Sequence, residues 1–473
     1  MPIWFESLTV LFVILIVVRH IKRGSNFLKR YFIPSSLIGG LVALFFGPQL
    51  LGTIPANIAA EWGNYPRFLI NIVFAGLFLG HTIPKPAELW KKSAPMLAFG
   101  NTLAWGQYII GILLTLCFLG PVFGAPSITG ALIEVGFEGG HGTASGLAPT
   151  FAVLGWRQGA DIALGLATIS VVTAVVSCLI IINVYNHKRR RILNDAMIKS
   201  QQQKLIRSGY SITKFADKLD ANTKEVAITV LLFGLSIVVG WSLQQTLISA
   251  ESLLLGPFTN LRFFKYLPLF PLAMIGGIIV QLVLKFTHKA HLIRRGTIRT
   301  FCAIALDLLI VTAIATASLS SIWSNLAIFI TLSLAGVIWI LSAFFFFAPR
   351  YFRRDWFENG ITNVGQSMGM TATGLLMNRL VDPGNKTHAR EAFMYKQLAF
   401  EPFMGGGIIT AMMLVLLSAF GQIPILILSI TCFSFWVYIG LTHGRSSKRK
   451  KRRDKQEAGL AKLAYRLFNS NNQ

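Results

Sequence analysis

Apolar runs recur along the chain at residues 3–18, 34–51, 67–80, 94–119, 160–185, 225–248, 266–284, 300–318, 323–348, 390–418 and 422–442. Each is close to the roughly 20 residues that a helix needs to cross a hydrocarbon core about 30 Å thick. The pattern predicts an all-α polytopic membrane protein with eleven crossings. The polar stretch 186–224 separates five runs from six. Five crossings is an odd number, so a duplicated second half would lie upside down relative to the first. Two matches in the same order support duplication: "IPSSLIGGL" at 33–41 with "FPLAMIGGI" at 270–278, and "GTASGL" with "MTATGL", which sets Thr143 against Thr371 and Gly146 against Gly374.

Residues 134–151, "EVGFEGGHGTASGLAPTF", break the apolar pattern with five glycines, two glutamates, a histidine and three hydroxyls. They lie between an outward-going and an inward-going run, so they begin and end on one side. Two arms of about a dozen residues, at 1.5 Å rise, reach roughly 18 Å, a little past the bilayer centre. The expected element is a re-entrant hairpin over 126–151, mirrored by a second over 355–381 that enters from the cytoplasmic side. The resulting division is 1–185 as the first inverted repeat, 186–224 as a cytoplasmic basic linker, 225–418 as the second repeat, 419–443 as an extra transmembrane helix and 444–473 as a cytoplasmic basic tail.

Composition sharpens the class: 473 residues, 53% hydrophobic and 13% charged, lie outside the range of ordinary soluble domains. The net charge of +25 and the run "KRKKRR" at 448–453 raise a nucleic-acid reading. Topology accounts for them instead. With the N-terminus outside, 40 of the 44 lysines and arginines fall on inner segments, leaving Arg67, Arg157, Arg262 and Lys265 outside. This positive-inside bias puts the C-terminus in the cytoplasm of a cell (inner or plasma) membrane protein, with no nucleic-acid partner. "MPIWFES" lacks the basic start of a signal peptide, so the first run is expected to remain as a helix. Cys117, Cys178, Cys302 and Cys432 stand alone in separate runs and read as buried small hydrophobes. The tail segment "EAGLAKLAYRLF" spaces its leucines at helical intervals after the polybasic run and reads as an amphipathic helix on membrane lipid.

Irregular backbone at bilayer depth survives only where protein or water satisfies it. Glycines permit the reversal, freed amides attract a carboxylate, and loose carbonyls and hydroxyls suit a hard cation such as sodium. The expected substrate and ion site therefore draws on Gly139, Gly140, His141, Gly142, Thr143 and Ser145 from the first hairpin. Asn363, Gln366, Ser367, Gly369, Thr371 and Thr373 come from the second, and Glu401 from "FEPFMGGG". Sodium ligation is expected from hairpin backbone and hydroxyls. Competing structural roles are close helix packing for the glycines and back-bonding to the preceding turn for the hydroxyls. For the carboxylates Glu134, Glu138, Asp161 and Asp307 a functional role leads by default, because an intramembrane charge is expensive. The competing roles are solvation near the outer boundary for Glu134 and Asp161 and a base or polar partner on a neighbouring helix for Asp307. Arg157 and Arg379 read as interfacial anchors, with pairing to a second substrate carboxylate as the alternative. No nucleophile and base pair suggests an enzyme.

"IPSSLIGG", "EGGHGTASG" and "GQSMGMTATG" followed by "AFMYKQLAFEPFMGGG" resemble the bacterial sodium/glutamate symporters over most of residues 1–418. The resemblance implies two inverted five-helix halves, a homodimer, an elevator-like displacement of the part carrying the hairpins, and sodium-driven uptake of glutamate with no further cofactor. Gly139, Gly140, His141, Gly142 and Thr143 match the first loop motif; Gly369, Thr371 and Thr373 match the second. Departures are Ala372 in place of a proline, Thr410 in place of an acidic residue with Glu401 earlier, and the eleventh run with its basic tail. The alternatives are a proton- or sodium-coupled carrier of another organic anion and, further off, an ion channel.

Overall fold

The computed structural model describes residues 2–25, 34–81, 83–188, 223–254, 263–352 and 354–444, and among them every regular element is helical. Among the described residues eight helices are long and apolar enough to cross a membrane. They are α1 (Ile3–Gly24), α5 (Pro86–Phe123), α9 (Gln158–Lys188, apolar to Tyr185), α10 (Thr223–Leu254), α11 (Leu269–Phe286), α12 (Arg295–Thr316), α14 (Leu326–Tyr351) and α19 (Gln422–Gly444). The chain is therefore a polytopic membrane protein. Shorter helices lie between them: α2 (Ser35–Phe46), α3 (Ala56–Trp62), α4 (Tyr65–Ala75), α6 (Ser127–Phe137), α7 (Gly140–Gly146), α8 (Ala148–Val153), α13 (Leu319–Ser324), α15 (Trp356–Ser367), α16 (Thr371–Val381), α17 (Ala389–Phe400) and α18 (Ile408–Phe420).

Three of the eleven expected crossings are shorter than the hydropathy suggests. The run 34–51 yields 12 helical residues and the run 67–80 lies on a helix of 11. The run 390–418 splits into α17 and α18, of 12 and 13 residues. Local chemistry sets each limit. Pro34 and Pro66 have the fixed φ that starts a helix, and Gly47 and Gly76 sit at the far caps. Between α17 and α18, Gly405 and Gly406 take φ of +65° and +100°, a backbone region that ends a right-handed helix. The basic linker expected at 186–224 and the tail expected at 444–473, with its amphipathic helix, lie almost wholly outside the described residues.

Three apolar clusters organise the packing. One joins α1, α2, α3 and α12 through Leu11, Leu15, Ala43, Trp62 and Val311. A second joins α4, α10, α11 and α12 through Ala75, Phe233, Ala273 and Ile298. The largest gathers α5, α6, α9, α14, α15, α17 and α18, and reaches α2, α4, α11 and α12 through Leu37, Ile70, Phe270 and Ile314. Helix α5 forms its axis, being buried on all faces from Ser93 to Tyr108, the behaviour of a helix enclosed by others rather than facing lipid. Close backbone approach fixes these contacts, since an ideal Cβ on Gly111 would lie 2.2 Å from the Gly130 carbonyl oxygen and one on Gly277 2.3 Å from that of Ala75. The expectation of buried cysteines needs one correction. Cys178 is buried, whereas Cys117 is exposed and Cys302 and Cys432 are partly so; all four are free.

Candidate functional site

Two helical hairpins converge inside the largest cluster. In the first, α6 turns at Glu138 and Gly139 into α7 and α8; in the second, α15 turns at Met368–Met370 into α16. Gly140 adopts φ of +68°, and a Cβ there would lie 3.6 Å from the Gly369 carbonyl oxygen, so the two turns meet backbone to backbone. A side chain at Gly140 would suffer the left-handed penalty that glycine escapes.

Three carboxylates surround this meeting point. Glu134 on α6 is wholly buried, and three donors converge on it: the Tyr108 hydroxyl at 2.6 Å, the Thr410 hydroxyl at 2.7 Å and the Gly405 amide at 3.1 Å. Thr410 in turn accepts the Gly406 amide at 3.2 Å, so the α17–α18 break is folded around the Glu134 side chain. Glu138, at the first turn, accepts from Gln366 Nε2 on α15 at 2.6 Å and from Gln107 Nε2 on α5 at 3.5 Å. The Gln366 carbonyl oxygen accepts from Lys396 Nζ on α17 at 2.7 Å. One amide thus bridges a carboxylate of one hairpin and an ammonium outside it. The half-buried Glu401 accepts from the Thr371 hydroxyl and from Gln397 Nε2, both at 2.8 Å.

Several buried atoms in this region have no hydrogen-bond partner among the described residues: Gln107 Oε1, Asn363 Oδ1, Ser367 Oγ, Gln397 Oε1 and His141 Nδ1. Buried polar atoms are ordinarily paired, because each orphan costs the desolvation it has suffered. Most of these are oxygens, the donor set of a hard cation or of bound water.

The residues singled out from the sequence divide clearly. Gly140 and Gly369 meet at the turns, and Gln366 joins Glu138. Gly139 packs against the Thr143 side chain, and Gly142 lies 3.9 Å from Ile70 when given a Cβ. Thr371 and Glu401 form one network with Gln397. Thr143 and Ser145 donate to the Gly139 and His141 carbonyls one turn back, the structural role that hydroxyls take by default in such helices. The Thr143 hydroxyl nevertheless faces Gly406, whose Cβ would lie 2.4 Å from it. His141 bonds Thr168 on α9 at 3.1 Å, Asn363 spends its amide on the Asn359 carbonyl and against Met96, and Thr373 is buried behind the second turn.

Away from the site, Asp307 pairs with Arg19 at 2.7 Å, and Asp161 accepts the Ser318 amide at 3.0 Å. Arg157 is exposed. For Glu134 the structure excludes the competing role of a solvated boundary position, since it is sealed by Tyr108, Thr410 and Gly405. Sequence reasoning passed over Tyr108, Gln107, Gln397 and Lys396. A lysine inside the apolar run 390–418 was the available signal, since an ionisable group buried among apolar residues is expensive and demands a partner.

Comparison with known families decides the class. The profile of the sodium/glutamate symporter family matches residues 4–377. The chain belongs to the sodium/glutamate symporter family. It is thereby a membrane transporter of a symporter class rather than a member of an enzyme family. No curated protein matches it at a significant level. The symporter match spans the first hairpin and reaches well into the second. Lys396, Glu401, the glycines at 405–407 and Thr410 lie beyond it, yet they supply donors and acceptors to both hairpins.

Proposed function

We propose that this protein is a secondary active transporter that takes up glutamate together with sodium, through a site at which two re-entrant hairpins and the α17–α18 break meet. The single observation that carries the reading is the contact between the hairpins: Gly140 against Gly369 at the backbone, and Glu138 bonded to Gln366. Neither hairpin has an arm of spanning length, the α15 and α16 arms being 12 and 11 residues. Polar backbone and carboxylates placed there are tolerable where protein, water or polar cargo satisfies them, as at a transport site.

The packing supports an inverted repeat in which α1, α2, α4, α5, the first hairpin and α9 correspond to α10, α11, α12, α14, the second hairpin and α17–α18. Helix α1 packs on α2 as α10 packs on α11, and α2 packs on α12 as α11 packs on α4. The first hairpin packs on α9 as the second packs on α17, and α5 packs on α14 across the pseudo-axis. The proposal includes an elevator-like displacement of the part that carries the hairpins. A homodimer in a cell membrane, with the N-terminus outside and the C-terminus cytoplasmic, completes the proposal.

In this reading the first-turn amides of α16 and the Thr371 hydroxyl face the substrate carboxylate. Sodium takes oxygens left over by the protein, with Ser367 Oγ and Gln107 Oε1 as the candidates together with turn carbonyls. Coupling has an electrical logic, because a membrane potential of 100 mV is worth about 2.3 kcal/mol per charge and a monovalent anion accumulates best with more than one cation. Purified protein in liposomes is expected to concentrate labelled glutamate under an inward sodium gradient, and competition by dicarboxylates and neutral amino acids tests the substrate. Equal uptake in potassium would reject sodium coupling, and replacement of the sodium gradient by a pH gradient would favour the proton-coupled alternative.

A further inference from the structure

Lys396 is the one lysine or arginine among the described residues that is fully buried, with 0% of its surface exposed. It is held by α17, outside both hairpins, and reaches between α5 and α15. Its ammonium donates to Gln366 Oε1 at 2.7 Å and lies 3.6 Å from the centre of the Phe400 ring. No carboxylate comes within 4.0 Å of it among the described residues, although Glu138 and Glu401 both act on it electrostatically. Room for the side chain comes from Gly100, where an ideal Cβ would lie 2.4 Å from Lys396 Cε, 2.9 Å from its Nζ and 3.6 Å from the orphaned Asn363 Oδ1.

A lysine that serves only to hold helices together at this depth is expected to sit directly on a carboxylate, because an uncompensated buried charge is costly. Lys396 does otherwise. It has three donors and a single acceptor, the Gln366 amide oxygen, with the Glu138 charge one amide away. That is the environment of a monovalent cation in an incomplete oxygen shell.

We propose that Lys396 is a tethered cation of the transport site: its ammonium takes, among the oxygens of Gln366 and Asn363 and near Glu138, the place of one monovalent cation that would otherwise be drawn from solution. The proposal rests on the sodium-coupled reading above and adds to it that this chain carries one coupling charge covalently, on a side chain of its own. Each glutamate is then accompanied by one sodium ion fewer than the same site would need with a neutral residue at 396. Because the ammonium contacts the second hairpin through Gln366, its charge remains with the site whether or not cargo is bound.

The test measures the sodium:glutamate coupling ratio in liposomes, as the membrane potential at which net labelled-glutamate flux vanishes under fixed gradients. Wild type is compared with Lys396→Met, Lys396→Gln and Lys396→Arg, and with Lys92→Met as an exposed control. Both neutral variants are expected to gain one sodium per glutamate and to need several-fold more sodium for half-maximal uptake. Lys396→Arg and Lys92→Met are expected to keep the wild-type ratio. The readout is the increment, so it stands apart from the wild-type value: sodium-independent wild-type uptake would end the sodium reading, whereas the inference would then require sodium dependence to arise in the neutral variants. An unchanged ratio in folded Lys396→Met and Lys396→Gln overturns the inference. So does a failure of both neutral variants to fold at saturating sodium, since an emptied cation position should refill.

Discussion

Replacing Thr410 by valine tests whether the α17–α18 break is built around Glu134. Valine keeps the shape of the side chain and removes its hydroxyl, which donates to Glu134 Oε1 at 2.7 Å and accepts the Gly406 amide at 3.2 Å. A hydrogen bond to a charged group contributes about 1.5–3 kcal/mol, and an amide left buried without an acceptor costs about 1–3 kcal/mol. Tyr108 and Gly405 still hold the carboxylate after the change, and both losses arise from one atom, so they add to less than their sum. The expected destabilisation is about 2–4 kcal/mol. Thr431→Val is the control, because Thr431 is exposed and bonds only to the Ile427 carbonyl of its own helix; its expected cost is below about 0.5 kcal/mol. Unfolding in detergent can be followed by a thiol-reactive fluorophore that gains access to Cys178, which is buried in the folded protein, over a constant signal from the exposed Cys117. Thr410→Ser should behave like wild type. Equal unfolding of the two valine variants would refute the idea that Glu134 organises the break.

Other consequences are equally specific. Asp307→Ala breaks the pair with Arg19 between α12 and α1 and should cost about 1.5–3 kcal/mol in the same unfolding measurement, whereas Arg19→Lys, which keeps the charge, should cost less. Burial, reinforced by Arg295 and Arg299, pushes the His81 imidazole from 6.5 down to about 4. The folded protein holds it neutral while the unfolded chain takes up a proton, so its contribution is complete above about pH 6.5 and is lost as the pH falls toward about 4. Melting curves between those limits should flatten in His81→Gln. Gly277→Ala would place a Cβ 2.3 Å from the Ala75 carbonyl oxygen and should destabilise the α11–α4 contact by about 1–3 kcal/mol. Gly24→Ala, with nothing within 4 Å, should leave stability unchanged in the same assay.

Hydropathy made the membrane class legible, because burial in lipid requires long apolar helices and the chain supplies eight among the described residues. It was less informative about lengths. The window that marks 34–51 as one span counts Leu50 and Leu51 as apolar but is blind to Gly47 and Pro48, where the helix stops after 12 residues. Composition also identified the two glycine-rich turns, since polar groups in an apolar setting mark places where backbone is needed for something other than a helix. What it could not distinguish was Thr143 from Thr371. Both follow the glycines of matching motifs, yet Thr143 bonds to its own helix while Thr371 bonds to Glu401 and Gln397 on another element.

The contacts that escaped notice share a physical reason. Glu134 is joined to Thr410 across 276 positions of sequence, and Glu138 to Gln366 across 228. Tyr108 acquires its meaning only when Glu134 lies 2.6 Å away, and Lys396 only when Gln366 offers it a carbonyl. In water a polar side chain can be satisfied by solvent, and its position need not imply another. At bilayer depth each donor must find a protein acceptor, bound water or cargo. A lone intramembrane lysine is consequently half of a statement whose other half lies elsewhere in the chain. Four polar residues from separate segments, Gln107, Glu138, Gln366 and Lys396, form one line of contacts through α5, the two hairpins and α17. Removing the charge at one end changes what every other member must bind, which is why the sodium ratio of the Lys396 variants reports on the whole line.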